Sequence, residues 1–118
     1  MFFAFQDAVV PALHREVVKQ YELVLKEQAI QVPIIEHPNC FKNCCHLNVE
    51  NLVKEFGGKC IKGYYIVTDS LFKKSIGIYH SIWYYNTQYI DPTPFEEGIM
   101  YHTFIPKERV NNEGFLRI

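Results

Sequence analysis

Hydrophobic positions change period near the middle of the chain, from helical spacing before Gly57-Gly58 to alternation after it. Leu13, Val17, Tyr21, Val24 and Leu25 recur at helical intervals, with Glu16, Lys19, Lys26 and Glu27 outside the stripe, and predict a helix over 7–29. Asp7 is a candidate N-cap, and Pro11 is compatible with a first turn only. Gln31 to Asn43, with Pro33 and Pro38, reads as a connecting loop. A second helix is expected over 45–56, where Val49, Leu52, Val53 and Phe56 form one apolar stripe that Gly57-Gly58 terminates. Cys45 falls on the same face one turn earlier, among backbone N–H groups that have no intrahelical partner.

Beyond the glycines the pattern is strand-like. Cys60 to Thr68 is rich in β-branched and aromatic residues, and Asp69 to Lys74 reads as a loop. Ile76 to Tyr85 and Gln88 to Asp91 form a hairpin joined at Asn86-Thr87. Ile99 to Ile105 is a further strand, and Phe115 to Ile118 a short last one after the Asn111–Gly114 turn. The expectation is one α+β domain over 1–118, with a helical segment over 1–30 and a core over 39–118 in which the cysteine-bearing helix packs on a small antiparallel sheet.

A two-residue loop at Asn86-Thr87 fixes the hairpin register: Tyr85 opposes Gln88, Tyr84 opposes Tyr89, and Ile82 opposes Asp91. His80 and Asp91 then project from one face as diagonal neighbours, roughly 5–8 Å apart at Cβ. That spacing lets a carboxylate reach an imidazole nitrogen. With a helix-start cysteine upstream, the chain holds the parts of a thiol nucleophile, a base and an orienting carboxylate. A helix N-terminus and an imidazolium both favour thiolate over thiol. Cys45 would attack, His80 would move the proton, and Asp91 would fix the imidazole tautomer. The Cys45 backbone N–H and an amide from Asn39 or Asn43 are candidate oxyanion donors, with Asn39 preferred for its distance upstream. Asn48, one turn into the helix, would either brace the site or hydrogen-bond the N-terminal turn. The amphipathic register selects Cys45 over Cys44, while Cys40 lies in the loop and Cys60, in the first strand, reads as a packing residue.

Composition narrows the setting. The 118 residues include eight Tyr, nine Phe and two Met, carry a net charge of −1, and suffice for one core without staples. No Lys/Arg run exceeds two residues, so neither a nucleic-acid groove nor an anionic membrane surface is expected. Met1 to Ala4 lacks a basic lead-in and the apolar stretch ends at Gln6-Asp7, so no signal peptide is expected. A cytoplasmic, reducing setting is therefore expected, in which cysteines are more often catalytic, metal-bound or core residues than disulfides.

Cys45, Gly57-Gly58, Gly63-Tyr64, His80, Trp83, Asp91 and Thr93 stand in an order that resembles the core of transglutaminase-like and papain-like cysteine proteins. The resemblance covers about residues 39–94. It implies Cys45 as nucleophile, His80 as base and Asp91 as orienter, on an α+β fold with the cysteine helix against an antiparallel sheet. Peptidases, amidases, deamidases and acyl transferases share that superfamily, so it implies amide or thioester chemistry before it implies a substrate. A protein or peptide substrate suits a small single-lobed domain, and a homodimer would supply a second cleft wall. No cofactor is implied.

Three other readings stay open. Cys40, Cys44, Cys45, His46 and Cys60 supply enough ligands for zinc, without a Cys-x-x-Cys pair. His80-Ser81-Ile82 and His102-Thr103-Phe104 echo the paired histidine elements of a two-histidine phosphodiesterase. A non-enzymatic interaction module would use the tyrosines as anchors and Cys45 as packing. His102 is more simply a strand residue lining the same cleft; His14, His37 and His46 carry no constellation.

Overall fold

A computed structural model describes residues 12–69 and 74–118. Among the described residues two helices, α1 (Ala12–Leu25) and α2 (Cys45–Phe56), accompany six strands: β1 (Ile30–Pro33), β2 (Lys59–Asp69), β3 (Lys74–Tyr85), β4 (Gln88–Ile90), β5 (Tyr101–Pro106) and β6 (Phe115–Leu116). The strands form one antiparallel sheet in the order β1-β5-β2-β3-β4, with β6 also paired to β3. The expected N-cap at Asp7 and the placement of Pro11 lie outside the described residues.

Both helices cover one face of the sheet. Val18, Tyr21 and Leu25 of α1 pack with Tyr64, Ile66, Tyr79 and Ile105. Val24, assigned above to the buried stripe, is 54% exposed, and Val18 takes its place because the inward row runs 18, 21, 25. Val49 and Leu52 of α2 pack on Trp83 with Cys40, with Val53 and Cys60 at the margin. Gly57 closes α2 with φ +91°, and its carbonyl accepts the Trp83 indole N–H at 2.9 Å, pinning the helix end to β3.

Among the described residues no helix covers the opposite face, which is nevertheless buried because the sheet curls until its ends meet. The Asp91 N–H donates to Pro33 O at 2.9 Å, Ile35 N–H to Asp91 O at 3.0 Å, and His37 N–H to Pro92 O at 3.0 Å. Ile34 and Asp91 thus form a parallel bridge that closes the strand order on itself. Inside the curl lie Val32, Tyr65, Ile82 and Phe104, flanked by Ile30, Ile61, Ile78 and Phe95. The loop expected over 31–43 is therefore corrected at its start. Ile30–Pro33 pairs with β5, from Ile30 opposite Phe104 to Pro33 opposite Tyr101. Four residues ending in a proline give almost no periodic signal, and proline is tolerated at the end of an edge strand. All four cysteines are free. No helix among the described residues is long and apolar enough to cross a membrane.

Candidate active site

The β3–β4 hairpin turns at Asn86-Thr87 with φ of +53° and +62°, the pair of positive angles of a two-residue type I′ turn. Tyr85 pairs with Gln88, Tyr84 with Tyr89 and Trp83 with Ile90, so Asp91 falls opposite Ile82. His80 and Asp91 thereby face the inside of the curl together, and His80 Nε2 donates to Asp91 Oδ2 at 2.6 Å. Asp91 is fully buried, and its Oδ1 also accepts the Thr93 backbone N–H at 3.2 Å. This follows the Asp-Pro-Thr turn, in which an aspartate accepts from the backbone two residues on.

Cys45 reaches the same histidine from the other side of the sheet. Cys44 occupies the N-cap of α2 and Cys45 the first helical position; no side chain caps the helix. The outward row of β3 amides explains where the sulfur sits. Tyr79 N–H donates to Gly114 O at 2.9 Å beside β6, and Trp83 pairs with β4. Between them the Ser81 N–H donates to the Cys45 sulfur. Strand amides lie in the plane of the sheet, so the sulfur occupies the gap in the β3 edge between β6 and β4. There the His80 side chain hydrogen-bonds it. Asp91 holds Nε2, which leaves Nδ1 for the sulfur.

Electrostatics favour the charged form of this pair. Burial alone would push the Cys45 thiol up, but the His80 hydrogen bond, the His80 charge and the Ser81 N–H outweigh it and bring the thiol below its ordinary value. Burial would likewise lower His80, yet hydrogen bonds to Asp91 and Cys45, with their negative charges, raise it to about 9. Both shifts run in the direction that favours a thiolate beside an imidazolium, with a buried carboxylate hydrogen-bonded to the ring.

Asn48 braces the surroundings. Its Oδ1 accepts Phe41 N–H at 3.1 Å, and its Nδ2 donates to Phe41 O at 2.7 Å and Thr93 Oγ1 at 3.0 Å. These bonds fix the loop before α2 and the turn after Asp91, and they occupy the amide. Asn39 and Asn43 are exposed on the loop, and the Asn39 backbone N–H donates to His37 Nδ1 at 3.1 Å. The first-turn amides of α2 are the donors nearest the thiol in the chain. Three residues have roles that sequence patterns left open. Ser81 meets the thiol through its backbone and His46 Nδ1 through its hydroxyl. Tyr65 packs its ring edge-on to His80 at 4.9 Å, with its hydroxyl pushed up to about 12 by burial and by Cys45, Asp91 and Glu96. His102 lies 3.2 Å through Nε2 from Asp91 Oδ2.

Among the described residues the thiols and His46 do not gather into a ligand set, which removes the basis of the cysteine-zinc reading. His80, Asp91 and His102 do place ligand atoms within 4.8 Å of one another. The 2.6 Å His80–Asp91 separation is a hydrogen bond, shorter than the roughly 3.4 Å that tetrahedral ligands about 2.1 Å from zinc would keep. His80 and His102 share one carboxylate oxygen, unlike paired histidines flanking an open phosphate site. Tyr65 and His102 also line a cleft of about 740 Å³ with Phe95, Ile99 and Met100. The chain matches no family model, no curated protein and no solved structure, so the reading of this site rests on its own geometry.

Proposed function

We propose that the protein is a cysteine-dependent hydrolase or acyl transferase acting on an amide or thioester. The observation that carries this is the continuous line from the Cys45 sulfur through His80 to the fully buried Asp91 carboxylate. In this reading the Cys45 thiolate adds to the substrate carbonyl carbon. Helix-start amides, beginning with the Cys45 N–H, stabilise the oxyanion. The tetrahedral intermediate collapses as the His80 Nδ1 proton passes to the departing nitrogen or sulfur, leaving a thioester on Cys45. Water or an incoming amine then gives a proton to His80, attacks the thioester and releases the thiolate. Asp91 keeps its charge throughout and holds the imidazole.

A helix-borne cysteine against an antiparallel sheet, with histidine and aspartate from consecutive strands, supports a reduced papain- or transglutaminase-like core. Phe41 and Leu47, 70% and 57% exposed, flank the α2 start and suit an extended protein or peptide segment. A second copy of the chain would add a wall to such a site.

Thiol labelling at neutral pH tests the reading, comparing wild type with Cys44→Ala, Cys45→Ala and His80→Ala and mapping the modified residue. Cys45 should label fastest and His80→Ala should slow it. Equal, slow labelling of all four thiols favours an interaction module. Release of amine or thiol from a panel of peptide amides and thioesters then separates the hydrolase from a binding protein.

A further inference from the structure

His102 is a buried polar residue that the triad leaves without a task. It sits on β5 opposite Val32, 4% exposed, with its ring against Tyr65 at 4.2 Å, Phe95 at 4.7 Å and His80 at 5.4 Å. Its Nε2 lies 3.2 Å from Asp91 Oδ2, the oxygen that also receives His80. The approach is too bent for a hydrogen bond, and that nitrogen has no other partner among the described residues. Buried polar atoms are very seldom left this way.

One proton placement is compatible with this geometry. A bare Nε2 would turn its lone pair on a carboxylate, so Nε2 carries the hydrogen. We infer that His102 is a positioning residue, whose Nε2–H steadies the Asp91 carboxylate in line with His80. A small ring rotation straightens the contact, as hydrogen bonds in unliganded sites commonly straighten when substrate arrives. Burial among aromatic rings, with the neighbouring His80 charge opposing Asp91, keeps His102 at about 4 and hence neutral. A neutral donor supports Asp91 without cancelling the charge that His80 needs. The inference rests on the triad reading given above.

Two variants and one spectrum test it. His102→Phe keeps the ring packing and removes the donor; His102→Gln returns an N–H near the Nε2 position. The readout is the pH dependence of Cys45 alkylation by iodoacetamide, with the thermal midpoint measured alongside. The Phe variant should shift the profile to higher pH, so that labelling below neutrality falls about tenfold. The Gln variant should remain within about threefold of wild type, given that a retained donor keeps most of a charge-assisted bond. A folded Phe variant with the wild-type profile overturns the inference, as does a folded Gln variant as impaired as Phe. If Phe does not fold, the ring 15N shifts of wild-type His102 decide: an Nε2–H tautomer supports the role, whereas an Nδ1–H or charged ring at neutral pH overturns it. Stoichiometric zinc bound by wild type and lost in His102→Gln also overturns it, by making His102 a ligand. Failure of the triad itself is distinct, because Cys45 would then label no faster than Cys44 and His80→Ala would change nothing.

Discussion

Replacing Asp91 with asparagine removes one charge from the inside of the sheet and almost no volume. The amide has one accepting oxygen where the carboxylate has two, so Asp91→Asn loses either the Thr93 N–H or the His80 N–H. His80 stands at about 9 against an ordinary 6.5, a gap of roughly 3 kcal/mol, and it is 7% exposed, so solvent screens little of that. Asp91 and Cys45 each supply a hydrogen bond and a charge toward the rise, with Asp91 ahead. Half of the gap or more should therefore vanish in Asp91→Asn, lowering the thiolate fraction at least about tenfold below neutrality. The assay is the alkylation rate of Cys45 across about pH 5 to 10, resolved by peptide mass. Wild type should vary little through the neutral range, and the variant should climb with pH like an ordinary thiol. Stability gives a second readout. A folded-state value above the unfolded one contributes stability in full below about 6.5 and loses it as pH rises through about 9. Asp91→Asn should thus flatten the alkaline loss of stability. A folded variant with an unchanged alkylation profile would refute the reasoning, since His80 would then hold its charge without Asp91.

Asn48→Ala abandons the Phe41 N–H, Phe41 O and Thr93 Oγ1, and should lower unfolding stability by about 2–4 kcal/mol in urea titration. A loss under about 0.5 kcal/mol would show that the loop is held by other contacts. Gly63 pairs with His80, and a Cβ there would run into the Ile105 carbonyl oxygen and the Phe104 ring; Gly63→Ala should cost roughly 1–3 kcal/mol by the same titration. The folded-state value of His102, about 4, lies below its ordinary 6.5. The unfolded chain therefore binds more protons between those limits, so the His102 contribution is complete above 6.5 and lost as pH falls toward about 4. Subtracting the pH dependence of His102→Phe from that of wild type should isolate an acid-side loss of no more than about 3 kcal/mol.

Much of this architecture is written locally, and what is not depends on contacts between distant segments. The α2 stripe, the Gly57-Gly58 stop and the two-residue turn at Asn86-Thr87 are short-range signals, and the last of these sets the His80–Asp91 register. Ile30–Pro33 is a strand only because β5 offers it an edge, and no pattern within four residues announces that. Val18 displaces Val24 in α1 because Tyr64, Ile66 and Ile105 set the direction in which that helix faces. The Ser81 amide is invisible in the sequence for a different reason: its contribution is backbone geometry, available to any residue at that position. His102 stands in plain view on a strand, but its approach to Asp91 requires the curl that brings β5 and β4 toward one centre.

The seam where that curl closes runs through Asp91 itself, since its N–H bonds Pro33, its carbonyl bonds Ile35 and its side chain bonds His80. The His80 bond is local to the hairpin, whereas the Pro33 and Ile35 contacts join segments far apart in the chain, the kind that form late in folding. In a chain whose hairpin has formed but whose ends have not met, Asp91 is not yet enclosed and Cys45 should react as an ordinary, slow thiol. Reactivity at Cys45 should therefore switch on with the last long-range closure, and alkylation during refolding should lag behind hydrogen-exchange protection of the β2–β3 ladder. Labelling that leads that protection would separate the two events.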